Sequence, residues 1–350
     1  MRKVWFAGIL YTLTIFSPFT TMAKKVDMAQ AQNSVAIANE GKAECVMEKN
    51  SRRILYQANG DMRLPMASTT KIATAITVLE ACSNIQEKVV IPQEAEGVEG
   101  SSVYLKANDE YTVEDLLYGL MLRSGNDCAT ALAMHCAGST ADFCAKMNDT
   151  AQKAGALATQ FKNPHGLPAN GHYTTAQDLT AITCYALQNP IFCQIVATRY
   201  YELCGWKNKN KLLFEYSDCV GVKTGYTKEA GRCLVSAATK GEMTLVCSVL
   251  NCADMYARSE KLLKDGFADF DYVKLIDKTQ VFEVDGDKRK GSVLKDVYYP
   301  LMQSEKEWVS FKIFPINMKN GSKDGEIIGR VEIYLAKRLL FSENLYKIER

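Results

Sequence analysis

The hydrophobic pattern changes period several times along the chain. "MRKVWFAGILYTLTIFSPFTTMAKK" opens with Arg2 and Lys3, followed by an apolar run from Val4 to about Phe16. Small residues at Thr21–Ala23 follow, as a secretory signal requires, so cleavage is expected after Ala23. The alternative is an uncleaved anchor, but the run is short for a membrane span and Pro18 interrupts its end. "NSVAIANEGKAECVMEKNSRRILYQAN" then reads as short strands, with turns at Glu40-Gly41 and Lys49-Asn50-Ser51. In "PMASTTKIATAITVLEAC" the period becomes helical: Ile72, Ile76, Leu79 and Cys82 recur on one face, pointing to a core.

A second helical stretch runs from Thr112 to about Cys136, broken by Ser124-Gly125-Asn126. Thr112 with Asp115 resembles a capping box with Asp in place of Glu. "TADFCAKMNDTAQKAGA" and "TTAQDLTAITCYALQNP" are further helices, the latter capped by Thr175 with Asp178. The alternation turns strand-like in "GVKTGYT", "RCLVSAATK" and "MTLVCSVLN". The last two are joined by Gly241-Glu242, which predicts an antiparallel meander. "DMYARSEKLLKDGFADF" closes this part as a helix. After Asp271, "YVKLIDKTQVFEV", "WVSFKIFPIN" and "GRVEIYLAK" read as strands of a small β domain. The tail "LLFSENLYKIER" is expected to cap that domain or rest on a membrane, being too short to span one. The predicted organisation is a leader (1–23), a mixed α/β domain (24–270) whose antiparallel sheet is flanked by helices, and a β-rich domain (271–350).

Composition narrows the function. A net charge of +2 and the lack of a basic stripe with interleaved aromatics argue against nucleic acid or an acidic polymer as partner. No Gly-rich phosphate loop is present, and no cofactor is implied. Twelve cysteines in an exported chain would ordinarily signal disulfides. Here Cys128, Cys136, Cys144, Cys184 and Cys193 lie in helix-like segments, and Cys233 and Cys247 in apolar strand-like runs. They read as small core residues. Without a Cys-x-x-Cys pair and with three scattered histidines, no metal site is expected.

Candidate chemistry begins where the first helix does. Ser68 and Lys71 stand three residues apart at the mouth of an otherwise apolar helix. Ser is a favoured N-cap, so the hydroxyl alone has an ordinary explanation. A lysine in a first turn meets the positive end of the helix dipole and has none. Ser124-Gly125-Asn126 interrupts a helical pattern, where a glycine costs about 1 kcal/mol against alanine. Lys223-Thr224-Gly225 lies on a strand. In chain order these read Ser-x-x-Lys, Ser-x-Asn and Lys-Thr-Gly, a combination hard to reach by chance. It is the signature of penicillin-binding proteins and serine β-lactamases.

The resemblance is closer still in "RLPMASTTKIAT", "FKNPHGLP", "NKNKLL", "GVKTGYT" and "AGRCLVSAATK". Over about residues 33 to 270 the chain resembles the D-alanyl-D-alanine carboxypeptidases of the low-molecular-mass penicillin-binding-protein class, which also carry a C-terminal β domain. The resemblance implies a peptidoglycan stem peptide ending in D-Ala–D-Ala as substrate and β-lactams as covalent inhibitors. It implies Ser68 as nucleophile, Lys71 as general base and Ser124 as proton relay. Asn126 would bind a substrate amide. Lys223 and Thr224 would hold the substrate carboxylate, with Lys209 assisting where the family often has Arg. Gly225 would let the strand approach, and the Tyr226 N–H would serve as an oxyanion donor. His135 and His165 are expected to be structural, and Asp127 a helix cap. The enzyme would work outside the cytoplasm, associated peripherally with membrane or wall.

Two other readings share some of these features. A serine β-lactamase has all three triplets but needs a carboxylate to direct the deacylating water, and "QFKNPHGLPANGHY" (160–173) has none. A non-catalytic sensor of penicillin or muropeptides would carry a signalling domain or a span, and none is visible.

Overall fold

The computed structural model describes residues 41–284, 289–316 and 323–348; the expected leader lies outside them. β1 (Gly41–Glu48) sends Ala43, Cys45 and Met47 into one core and Val46 into another, so apolar layers cover both faces of its sheet. β2 (Ile54–Ala58) returns antiparallel to it. A 3₁₀ turn over Ala67–Thr70 leads into α1 (Lys71–Ala81). Ile72 and Ile76 are buried as predicted, and Leu79 and Cys82 pack partly against the same core.

β3 (Lys88–Val90) and β4 (Glu110–Thr112) form a small ribbon before α2 (Val113–Tyr118). The capping box closes in both directions: Asp115 N donates to Thr112 Oγ1, and Thr112 N to Asp115 Oδ2, each at 3.0 Å. A π-helical turn over Gly119–Arg123 and a left-handed Ser124 (φ 64°) separate α2 from α3 (Asn126–Ala137). α4 (Thr140–Lys153) and α5 (Ala176–Ala186) start at Ser139 and Thr175, whose side chains accept from Asp142 N and Asp178 N.

The sequence pattern stops a helix at Asn189-Pro190, but α6 (Pro190–Ala197) begins there. Proline suits a first helical position, because its missing N–H would lack a partner anyway. Asn189 Oδ1 caps the turn, accepting from Ile191 N (2.9 Å) and Phe192 N (3.2 Å). A ribbon of β5 (Tyr200–Tyr201) and β6 (Trp206–Lys207) and a short α7 (Leu212–Glu215) lead into the predicted meander. This consists of β7 (Cys219–Thr227), β8 (Gly231–Lys240) and β9 (Met243–Cys252), followed by α8 (Met255–Asp269).

The sheet order is β2-β1-β9-β8-β7, antiparallel throughout. The core on one face gathers α1, α3 and α5; on the other, Leu262 and Leu263 of α8 join Val46, Leu245 and Val249. α8 is also tied to the sheet by a buried ion pair. Arg258 Nε and Nη2 donate to the Glu44 carboxylate oxygens at 2.8 and 2.6 Å.

The chain then forms the C-terminal β domain. β10 (Asp271–Ile276) pairs with β13 (Val297–Leu301). A five-stranded sheet contains β11 (Phe282–Val284), β12 (Arg289–Ser292), β14 (Val309–Pro315), β15 (Ile327–Leu335) and β16 (Arg338–Lys347), in the order β11-β12-β16-β15-β14. Here the structure differs from expectation. The tail from Leu339 is not a cap but a central strand, with Leu345 fully buried beside Val331 and Ile333 while Leu339 is exposed. Polar residues interrupt its apolar alternation, which hides it. Arg53 bridges the two parts. It donates to Pro300 O (2.6 Å) and Glu305 (2.5 Å), and lies about 5 Å from the Phe270 and Tyr299 ring centres.

Candidate active site

Ser68 sits in the 3₁₀ turn ahead of α1, and no side-chain hydrogen bond caps that turn. The N-cap explanation for its hydroxyl therefore fails. Ala67 before it has φ 49°, a conformation costly for a residue with a Cβ. Ser68 Oγ instead lies 3.0 Å from Lys71 Nζ. Lys71 has no exposed surface, and its amine also reaches Asn126 Oδ1 and the His165 carbonyl, both at 2.6 Å. Burial, then the nearby Lys223, hold this amine well below the usual lysine range.

Asn126 opens α3, so the left-handed break at Ser124 is what aims this side chain at Lys71. Its Nδ2 donates to Glu99 O (2.5 Å). Ser124 is almost fully buried. Asp127 caps as expected, its Oδ1 accepting from Cys128 N (2.9 Å) in the first turn of α3, and it does more. Its carboxylate accepts from Ser102 Oγ (2.5 Å), Val103 N (3.0 Å) and Leu105 N (3.2 Å), clamping the loop that runs over Asn126.

A loop closed by pairing of Gln160 with Tyr173 forms the next wall. It carries the His165 carbonyl to Lys71, a contribution that sequence reasoning missed because a backbone oxygen belongs to no residue type. Several bonds fix it. Asn163 Oδ1 accepts from Gly166 N (2.7 Å), Thr74 Oγ1 donates to Pro164 O (2.6 Å), and Gly166 packs on the Ala67 carbonyl. Burial lowers His172 to about 4, leaving it neutral. Its Nδ1 accepts from Lys162 N (3.0 Å), so Nε2 carries the hydrogen and donates to Thr70 Oγ1 (2.9 Å). The readable signal for this wall was the "NPHG" turn.

β7 is the edge strand opposite. A Cβ on Gly225 would stand 3.0–3.1 Å from Met66 O, Ser68 N and Thr69 N, so glycine lets strand and turn close up. Lys223 is buried, and burial, with a smaller push from Lys209, lowers it to about 7; its Nζ donates to Thr224 O (2.9 Å). Thr224 is half-buried and Tyr226 is exposed at the strand's outer end. Lys209 is the outlier: it stands on the exposed rim, with Nζ 3.5 Å from Ser101 Oγ. His135 is remote, its Nε2 hydrogen-bonded with the Glu87 carboxylate. Among the described residues no cluster of His, Cys, Asp and Glu is arranged to hold a metal. The site combines a hydroxyl, a charge-poor amine, a helix start and a second buried lysine, the equipment for covalent attack on a carbonyl beside a carboxylate.

An antiparallel sheet whose edge strand closes on the start of a buried helix, with these three triplets around the gap, defines the class of the penicillin-binding proteins. Penicillin-binding protein 5 from Haemophilus influenzae matches with TM-score 0.75 at 28% identity, over 90% of this chain and 99% of that one. The Streptomyces K15 DD-transpeptidase matches with TM-score 0.62 at 33% identity, over 67% of this chain and 100% of that one. The chain belongs to the D-alanyl-D-alanine carboxypeptidase family (peptidase S11), whose model matches residues 28–254. Among curated relatives, DacC of Escherichia coli is 31% identical, covering 94% of this chain and 89% of its own length. DacF of Bacillus subtilis is 32% identical over 73% of this chain and 69% of its own.

Proposed function

We propose that the protein is a serine-type carboxypeptidase that removes the terminal D-Ala from peptidoglycan stem peptides through an ester on Ser68. The observation that carries this is the bonding of Lys71. Its amine faces two acceptors with no hydrogen to give, Asn126 Oδ1 and His165 O, and one hydroxyl, Ser68 Oγ. A neutral amine has two N–H bonds and one lone pair. The acceptors take the N–H bonds, and the lone pair is left for the Ser68 proton.

Ser68 Oγ then attacks the carbonyl carbon between the two D-Ala residues as its proton passes to Lys71. The oxyanion is met by the N–H groups of Ser68, at a helix start, and Tyr226. Ser124 relays the proton to the leaving nitrogen. Free D-Ala departs, and water activated by Lys71 hydrolyses the ester. Lys223 and Thr224 hold the carboxylate that only a chain end offers, Lys209 adds positive charge at the rim, and Asn126 Nδ2 binds the peptide. β-Lactams acylate the same oxygen. The 160–173 loop has no carboxylate to direct a deacylating water, which disfavours the β-lactamase reading.

The domain boundary falls near residue 270. A solved Streptomyces protein spanned in full by two thirds of this chain supports an independent catalytic part. The enzyme acts outside the cytoplasm after cleavage near Ala23, in peripheral contact with wall or membrane.

Incubation with diacetyl-Lys-D-Ala-D-Ala, followed by mass spectrometry, tests the reading. The parent enzyme releases D-Ala and Ser68→Ala does not. Release by the alanine variant, or none by the parent, overturns the proposal.

A further inference from the structure

α1 and α3 begin at the active site, with Lys71 and Asn126 as first residues, and their far ends meet again. Cys82 terminates α1, and Cys136 lies in the last turn of α3. Their sulfurs stand 3.2 Å apart. An α-helix rises 1.5 Å per residue, which puts the pair roughly 15 Å from Lys71. Both cysteines are partly exposed, whereas Cys45, Cys128, Cys184, Cys233 and Cys247 are fully buried. An S–S bond is about 2.05 Å, so closure needs a movement of about 1 Å, within the reach of two side chains at helix ends.

We propose that Cys82 and Cys136 are a redox-reactive pair that forms a reversible disulfide, joining the two helices that carry the halves of the active site. The oxidant is a disulfide, either a small molecule or a thiol–disulfide oxidoreductase. Cys82 thiolate attacks one oxidant sulfur, forming a mixed disulfide and releasing the other half as a thiol. Cys136 loses its proton and attacks Cys82 Sγ, expelling the second half. Two electrons and two protons pass from the cysteines to the oxidant, which leaves as two thiols.

Local chemistry assigns the order. Either sulfur can donate in the Cys82–Cys136 contact; with Cys136 as donor, that bond and then the nearby His135 favour the Cys82 thiolate against burial, and Cys82 is the attacking sulfur. The same bond, with burial, raises Cys136, which keeps its proton until the mixed disulfide has formed. The link would close a sequence separation of 54 residues, restricting the unfolded chain while leaving the site, at the opposite helix ends, unchanged.

The full chain treated with oxidised glutathione tests this. Thiols titrated after denaturation should fall from twelve to ten, counted against the sequence. Non-reducing digestion should yield one linked peptide pair containing Cys82 and Cys136. Dithiothreitol should restore both thiols, and the oxidised form should unfold several degrees higher with penicillin labelling unchanged. Cys136→Ser should instead trap glutathione on Cys82. Glutathione on both cysteines of the parent, a link between other cysteines, or both thiols left free would each overturn the proposal.

Discussion

In the proposed mechanism, Lys71 and Lys223 are two lysines of one chain given opposite duties by their surroundings. Lys71 must be neutral to accept a proton, so activity rises with pH through its depressed pKa. Lys223 must be charged to hold a carboxylate, so binding is lost as pH rises through about 7 in the free enzyme. The profile of kcat/KM should be a bell whose alkaline limb lies below the ordinary lysine range. A bound carboxylate favours the charged form, so the limb in kcat should lie higher than in kcat/KM. Lys223→Arg, charged at all these pH values, should abolish the limb; a limb unchanged in that variant removes Lys223 from the role. Lys71→Ala should slow penicillin acylation by about 10² to 10⁴, with circular dichroism unchanged. Penicillin should persist as an adduct on Ser68 of the parent, since its leaving nitrogen stays tethered. Intact mass followed over time would show rapid return to free enzyme if that view is mistaken. The side chains of this site were legible in the sequence, because hydroxyl, amine and amide are properties of residue types. The His165 carbonyl and the Asp127 clamp were not, since a loop's path decides which backbone atom arrives and where a carboxylate points.

Loops and short helices carry the next level of control. Gly166 has φ +93°, and a Cβ there would lie 2.0 Å from the Ala67 carbonyl. Gly166→Ala must displace either the loop that supplies the His165 oxygen or the turn that presents Ser68. Displacements of about 1 Å cost on the order of 10²-fold in rate, so acylation should fall by that much while far-UV dichroism stays the same. Asn189→Ala is the contrasting case. It removes the cap of α6, a helix that contributes none of the three triplets, and should cost about 1 kcal/mol in denaturant unfolding with acylation untouched. α6 escaped the sequence reading because Asn-Pro signals both the end of one helix and the start of the next. The meander was readable because β8 and β9 are rich in β-branched and small apolar residues. The disulfide-capable pair was hidden among twelve cysteines, as helix-end proximity is a property of packing and not of spacing.

The change from mixed to strand-rich texture near Asp271 was visible in sequence, but the wiring of the strands that follow was not. Cutting after residue 270 should leave penicillin acylation intact, since all three triplets precede the cut; a folded truncation that no longer acylates would show that the β domain completes the site. Within the first part, Glu44→Ala leaves the buried Arg258 guanidinium without its carboxylate and should cost about 3–5 kcal/mol, seen as a lower unfolding midpoint in urea. The position of β16 bears on how the molecule is made. A chain delivered N-terminus first offers the antiparallel pair β11–β12, then the pair β14–β15, each with an edge that awaits β16, and the strand that fits between them emerges after both. Until it arrives, the N–H and C=O groups on the outer sides of β12 and β15 are unpaired and can zip onto any other extended chain nearby. The second domain is thus assembled like an arch whose middle stone is set after its flanks, and its exposure to misassembly is greatest while that strand is still to come.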